Sequence, residues 1–579
     1  MAQVTDASAQ FQAQLPVARM MSFGQMLEGE RAYVMPSVQR PFEWEESQVS
    51  LLLNDLDGAL SAGYPFYFLG HIVAVPRADG AMEVVDGQQR LATISILIAY
   101  VRDRVQSNAP ALADALQDRI LTARGFARLT LRRRDARFFQ SRVQTPGNCL
   151  VMARTLPKKN EATIPVETDA QELIWQAART IHARLERYAG DRLAQFARFL
   201  LDHAVVGFIT APHRSAAAIL FRGMNDRGRD LSPADLMKLE TIEQAGLPDA
   251  ALDEAVRSWE DCEDTLGRRR FADLLELLPL IITGKALRHR SSLSEWKDTL
   301  FSSIDPETLL TQTLPQLGEI TRQLLNGEVS GYFKSVHSAL GRDVERWVRC
   351  LLLLQDREWW AAAVYAFWRH GDDPQYLHAF FKRLDRLAFA CFLEGADADV
   401  WERRIGGVIR QGDEPASLFS NFGAFVLDAR DVSKLINRMS EPFKRESWRR
   451  RAVAFRADAA LGGQAYLNAA QLTLEHIAPS KHGKKWEAEG WSAADTSRSA
   501  HLLGNFALLT EPQNQQASGK LFFEKRAIYF ETPGAPVQAL TKDVERYKTW
   551  TPTDVRARTE LLAAALLQEW DLLSVNPER

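Results

Sequence analysis

Four side chains toward the C-terminal end could together hydrolyse a phosphodiester. Glu475 and His476 are adjacent, and two asparagines follow, Asn505 and Asn514, nine positions apart. A histidine titrates near neutrality and can take a proton from water. A carboxylate and an amide are hard oxygen ligands of the kind that suit Mg2+, which keeps several of its own waters. An ion so held stabilises the charge that builds on a phosphate and its leaving oxygen. The alternative is structural, with His476 a core histidine and both asparagines turn residues. It is the ordered set, not any single member, that points to chemistry. His482 and His501 read as loop or DNA-contact residues rather than ligands.

A second cluster lies near the other end, Asp86-Gly87-Gln88-Gln89-Arg90. Gly87 permits a tight turn and close approach of a ligand. Arg90 could grip a phosphate with two parallel hydrogen bonds. Gln88 and Gln89 could position a water or read a base. Asp86 could bind a nucleotide-bound Mg2+ or hold the loop. Against this stands a plain polar turn that caps a helix.

The elements around both clusters follow from periodicity. Phe66–Val75 is rich in aromatic and β-branched residues and ends at Pro76, as a buried strand does. After the turn dipeptide Asp79-Gly80, Met82–Val85 reads as its hairpin partner. Leu91, Ile94, Ile98, Val101 and Val105 then recur at helical spacing. The DGQQR cluster therefore sits at a strand-to-helix junction, where free backbone N–H groups and the helix dipole favour an anion. Helices follow over residues 111–200, broken by the polar loop Pro157–Pro165, and Val205–Ile209 is a further strand. Ser232-Pro233, with Asp235 behind it, marks a helix start. From Leu247 to Ala459 the pattern is amphipathic helix, a bundle that spaces two working ends. Gly462-Gly463 breaks it. Leu472–Leu474 then reads as a strand delivering Glu475 and His476, followed by a loop with Lys481, His482, Lys484 and Lys485. His501–Leu509 reads as turn then strand. Asn514 falls near the start of a helix containing Lys520 and Lys525, and Trp550 to Trp570 form a closing helical region.

Composition sets the frame. A chain of 579 residues is too long for one core. Its net charge of -3 requires any nucleic-acid contact to come from local patches. The visible cationic runs are Arg132–Arg134 with Arg137, Arg268–Arg270, and Lys444-Arg445 with Arg449–Arg451. Such runs are commonly solvated helix faces. The last one, with Trp448 inside it and the Glu-His pair soon after, is the preferred phosphate-contact surface. Cys149, Cys262, Cys350 and Cys391 are far apart, with no C-x-x-C pair, which argues against a treble-clef zinc site or a disulfide framework. The polar first residues and the short apolar runs imply a cytoplasmic protein with no membrane span.

The C-terminal pieces, E-H-I-x-P from Glu475, G-N-x-x-L-L from Gly504, and Asn514 with Lys525 downstream, resemble the HNH (His-Me finger) nucleases. They are more similar still to the nuclease domain of modification-dependent (type IV) restriction enzymes of the GmrSD kind. The resemblance implies that His476 is the general base, that Glu475 and Asn514 hold one Mg2+ (or Mn2+), and that Asn505 fixes the loop orienting the histidine. Glu475 stands where many such sites carry Asp. At the N-terminal end, M-P-S-V-Q-R-P-F-x-W from Met35, F-L-G-H-I from Phe68, DGQQRLATI, and Phe221 to Lys238 resemble the N-terminal domain of the same family. That domain has a ParB/sulfiredoxin-like core and binds, and in members hydrolyses, nucleoside triphosphates. The implied nucleotide site is Gln39, Arg40, Asp86, Gly87, Gln88, Gln89 and Arg90, with Asn225 and Lys238 divided between that role and a structural turn.

The expected architecture is mainly α and multidomain. It comprises a nucleotide-binding, DNA-sensing domain over 1–246, a helical linking region over 247–460, and a ββα-metal nuclease over 461–579. The expected activity is an NTP-regulated, Mg2+-dependent endonuclease acting against foreign, modified double-stranded DNA, alone as a homo-oligomer or with other defence proteins. Lys484, Lys485, Arg449, Arg450, Lys520 and Lys525 are its candidate DNA contacts. The alternatives are a nucleotide-binding DNA sensor with a degenerate nuclease segment, and an RNA-directed nuclease of the same chemistry. No residue set chooses the DNA modification or the nucleotide.

Overall fold

A computed structural model describes residues 15–573 apart from 37–40, 156–165, 167, 214–215, 218–219, 221–232, 288–291, 444–446 and 535. Gln39, Arg40 and Asn225 of the expected nucleotide site lie outside the described residues, as do Lys444 and Arg445. The chain is mostly helical and divides into two compact units, one of residues 1–239 with 249–260, the other of 240–248 with 261–579.

The first unit is built on a mixed six-stranded sheet. Its strands are β1 (Val17–Ser22), β2 (Tyr33–Val34), β3 (Tyr67–Pro76), β4 (Met82–Asp86), β5 (Leu129–Thr130) and β6 (Ala204–Thr210), in the order β1-β6-β3-β4-β2-β5. β3 and β4 pair antiparallel, the expected hairpin, while β3 and β6 pair parallel. Successive strand residues face opposite ways, and the burial follows that rule. Ile72 and Ala74 of β3 join Val206 and Phe208 of β6 in the main core. Val73, Val75 and Ile209 pack with Ala211 and Ala217 in a smaller cluster. Helix α1 (Glu46–Ser61) and helix α2 (Gln88–Val105) cover the main face. α2 is buried all round from Leu91 through Val101, with Thr93 and Ser95 as its polar members, and lies inside the core.

The second unit is helical except for one antiparallel pair, β7 (Leu472–His476) and β8 (Phe506–Thr510), with His476 opposite Phe506. Four helices serve this hairpin: α3 (Ser447–Ala460), α4 (Glu511–Ala517), α5 (Phe522–Glu531) and α6 (Pro552–Glu569). The helix expected to carry Asn514, Lys520 and Lys525 together is two. Gly519 adopts a left-handed φ of 71°, which breaks the run between α4 and α5, and Glu524 accepts from the backbone N–H of Leu521 to restart it. Ile477, Trp486, Trp491, Leu509, Phe522, Tyr529 and Trp550 form the core beneath the hairpin. All four cysteines are free and buried. Among the described residues no helix is long and apolar enough to cross a membrane.

Candidate active site

Asn505 explains how the hairpin holds its shape. It is fully buried, and its Oδ1 accepts from the backbone N–H of Ala478 at 2.8 Å and from Trp550 Nε1 at 3.0 Å. Its Nδ2 donates to the carbonyls of Ala478 and Ala500, both at 2.8 Å. The amide is thus used on both sides, and it staples the chain two residues past His476. Helix α6 clamps the same turn from behind. Arg558, fully buried, donates to the carbonyls of Gly504 at 2.6 Å and Phe506 at 2.9 Å, and Thr559 Oγ1 accepts from the Gly504 N–H at 3.0 Å. The strand end carrying His476 is fixed in place before any ligand arrives.

Glu475 and His476 have different partners. The Glu475 carboxylate is buried against Lys525, whose Nζ lies 2.5 Å from Oε1 and donates at 2.9 Å to the carbonyl of His476. Tyr529 adds a hydroxyl donor at 3.3 Å. Burial pushes Glu475 up and Lys525 down from their ordinary values, and each is drawn back by the charge of the other. The His476 ring sits instead among Phe506, His501 and Arg450. Its Nε2 is 3.1 Å from His501 Nδ1 and 3.2 Å from Arg450 Nη1. Lys525, offered by the sequence as a DNA contact, is a buried counter-ion and not a surface residue.

Asn514, on α4, turns its Nδ2 to Thr473 Oγ1 at 2.8 Å and to the carbonyl of Leu474 at 3.3 Å. A carbonyl only accepts, so the amide oxygen must point away from the strand, and among the described residues it has no hydrogen-bond partner. Thr473 and Glu475 are two apart on β7, so Asn514 packs on the face that carries Glu475. No three His, Cys, Asp or Glu side chains gather as ligands among the described residues. A cation site here would draw on the carboxylate and the amide.

His476 is largely buried, with the Arg450 guanidinium and the Lys525 ammonium nearby. Burial, then His501, Arg450 and Lys525, push its pKa down to about 3, so the ring is neutral at physiological pH, the form that accepts a proton. The sign of the linkage follows. Between about pH 6.5 and 3 the unfolded chain binds a proton that the folded ring refuses, so this group makes folding less favourable as pH falls through that window. His476→Gln should therefore gain in stability relative to the parent on acidification from pH 7 toward 4. Thermal unfolding across that range measures it, and a constant difference would contradict the assignment.

The basic run on α3 is not a solvated face. Arg449 stacks on Trp448 at 4.6 Å, Arg450 reaches the two imidazoles, and Arg451 donates at 2.8 Å to the carbonyl of Leu472 and also to that of Ala469. Lys484, Lys485 and Lys520 are exposed and remain open to DNA. His501, read from the sequence as a loop or DNA-contact residue, and Arg450, read as a DNA contact, both lie against the His476 ring. The signal for His501 was its place four residues before Asn505.

In the first unit, Gly87 caps α2 with a φ of 87°, and a side chain there would strike Ile72 and the carbonyl of His71. Asp86 Oδ1 accepts from the Gly87 N–H at 2.7 Å. Gln89 is bonded to backbone through both ends of its amide. Its Oε1 accepts from the Glu43 N–H at 2.8 Å and its Nε2 donates to the Pro41 carbonyl at 2.6 Å, tying down the segment that follows Gln39 and Arg40. Gln88 is buried beside Met35, Phe42, Arg132 and Asp135. Arg90 donates to the His71 carbonyl at 3.1 Å and lies over Gly70. Lys238 is buried 3.8 Å from Glu260.

Residues 23–242 match the N-terminal domain of GmrSD restriction endonucleases, and residues 430–565 match their C-terminal domain. The chain belongs to the GmrSD restriction endonuclease family. No protein of curated function matches it. Membership makes this GmrSD protein a DNA endonuclease of phage defence. The C-terminal match begins at residue 430, so it takes in α3 and its arginines along with the hairpin.

Proposed function

We propose that this GmrSD protein is an NTP-regulated endonuclease of the HNH type, acting on foreign, modified DNA, with His476 as the general base. The observation that carries this is the fixed strand end. A neutral imidazole projects from β7, and the chain behind it is pinned by the four hydrogen bonds of Asn505. A base held this way removes a proton from water without first having to be ordered.

Mg2+ or Mn2+ is part of the proposal, and the residues fit it in a specific way. What supports a cation seat is the Lys525 ammonium lying against the Glu475 carboxylate and the His476 carbonyl. Asn514 supplies a further hard oxygen from the same face. Glu475 and Asn514 would hold the ion in exchange for the ammonium. When bound, it would supply charge stabilisation at the phosphate oxygens. The chain's own residues do the rest: His476 holds the proton taken from water, and Asn505 keeps the ring where the strand puts it.

In the first unit, Asp86, Gly87, Gln88 and Arg90 are proposed to receive the nucleoside triphosphate, with Gln89 holding the segment from Pro41 to Glu43. The N-terminus of α2, opened by Gly87, favours its phosphates. Cleavage of a panel of modified phage DNAs should change at least tenfold when nucleotide is added. Equal rates with and without every nucleotide, on a DNA that is cut, would leave an unregulated nuclease.

A further inference from the structure

In the second unit, the loop over 418–425 uses two of its three phenylalanines for folding and turns the third outward. Phe419 and Phe425 stack on each other with ring centroids 6.4 Å apart. Both rest on the helix Pro374–Glu394: Arg383 lies over the Phe419 ring at 4.9 Å, and Phe380 meets Phe425 edge-on at 5.0 Å. Phe422, three positions from each, is 96% exposed. The loop holds it there. Gln411 Oε1 accepts from the Ala424 N–H at 2.8 Å, Ser420 Oγ accepts from the Phe422 N–H at 3.2 Å, and a side chain on Gly423 would strike the Leu418 carbonyl. A phenyl ring kept in water gives up the free energy that burial would supply, so this ring does not serve the core.

Its setting points to DNA, the substrate of the family. The loop leads into the helix Ala429–Ser440, whose twelve residues span about 18 Å. Just past the far end of that helix, the Phe443 N–H donates to the carbonyl of His501 at 2.9 Å, beside His476. Ring and strand end are thus separated by roughly one turn of duplex or less. Arg383 and Arg386 stand at the foot of the loop. Their hydrogen bonds go to the carbonyls of Ala379, Phe425 and Trp570, which leave the positive charge in place. Asp413, on the approach to the loop, faces Arg369 and His370, each at 3.5 Å.

We propose that Phe422 is a wedge that enters duplex DNA at a base step near the cut, with Arg383 and Arg386 drawing the backbone onto the loop. Apolar side chains inserted this way unstack one step and bend the duplex toward the protein. The loop lies outside both segments that match the family, 23–242 and 430–565. The wedge needs only that the chain binds DNA, and it stands whichever residue removes the proton from water.

The test uses the full chain and a duplex that the parent cuts. Phe422→Ala should keep the parent's unfolding temperature, since the ring packs on nothing. Its DNA binding should weaken about tenfold or more, the scale of one lost contact between a ring and a base. The slope of log affinity against log salt should stay at the parent's value, because the ring neutralises no phosphate. Phe422→Trp should restore the affinity. 2-Aminopurine placed at successive positions on either side of the cut should brighten at one step when the parent binds and stay dim with Phe422→Ala. Parental affinity and parental brightening in Phe422→Ala would overturn the wedge. So would a loss confined to self-association, seen by sedimentation, with DNA binding unchanged, since the ring would then be a contact between copies of the chain.

Discussion

His476→Ala should cut DNA about 10²–10⁴-fold more slowly than the parent, the range that general-base catalysis contributes. DNA binding should survive, because the ring is not among the exposed cations. The fold should survive as well. Asn505, Arg558 and Thr559 hold the strand end through backbone groups and do not use the imidazole. A binding assay and a cleavage assay on one preparation separate the outcomes. Retained binding with lost cleavage supports the enzyme, whereas absence of cleavage by the parent itself, with any divalent ion, would point to a DNA sensor whose nuclease segment is degenerate.

Lys525→Met should be the most damaging change to stability in this part of the chain. It leaves Glu475 buried with its charge uncompensated, and breaking such a pair costs about 3–5 kcal/mol, less whatever Glu475 recovers by taking up a proton. The same variant tests the proposed metal exchange. If the ammonium occupies a cation seat, Mn2+ should raise the unfolding temperature of Lys525→Met by several degrees and do far less for the parent. A chelator should reverse the gain. If Mn2+ stabilises parent and variant equally, Glu475 is not a ligand, and the Glu475–Lys525 pair is purely structural.

The sequence made the hairpin legible because its signals are local. A short apolar strand, a stop at Pro479 and a turn at Gly504-Asn505 are each readable within a few residues. The chemistry around it was only partly legible. Adjacency of Glu475 and His476 suggests one shared site, but a strand turns consecutive side chains to opposite faces. The partners confirm the split, with Lys525 and Tyr529 for the one, and Arg450 and His501 for the other. Those pairings span 25 to 54 positions, beyond any local pattern. Gln89 shows the same limit. Its residue type suits a nucleotide, yet its amide is spent on the backbone of Pro41 and Glu43, 48 and 46 positions away. The helices between residues 247 and 459 are legible from amphipathic spacing, which reports burial and says little about which helix a given arginine serves.

The most direct measurement is the crystal structure of His476→Gln bound to an uncleaved duplex that the parent cuts. The account requires one backbone phosphate at the end of β7, within hydrogen-bond reach, direct or through one water, of the side chain at position 476. Duplex bound with every phosphate away from that strand end, in a complex matching the DNA the parent cleaves, would contradict it.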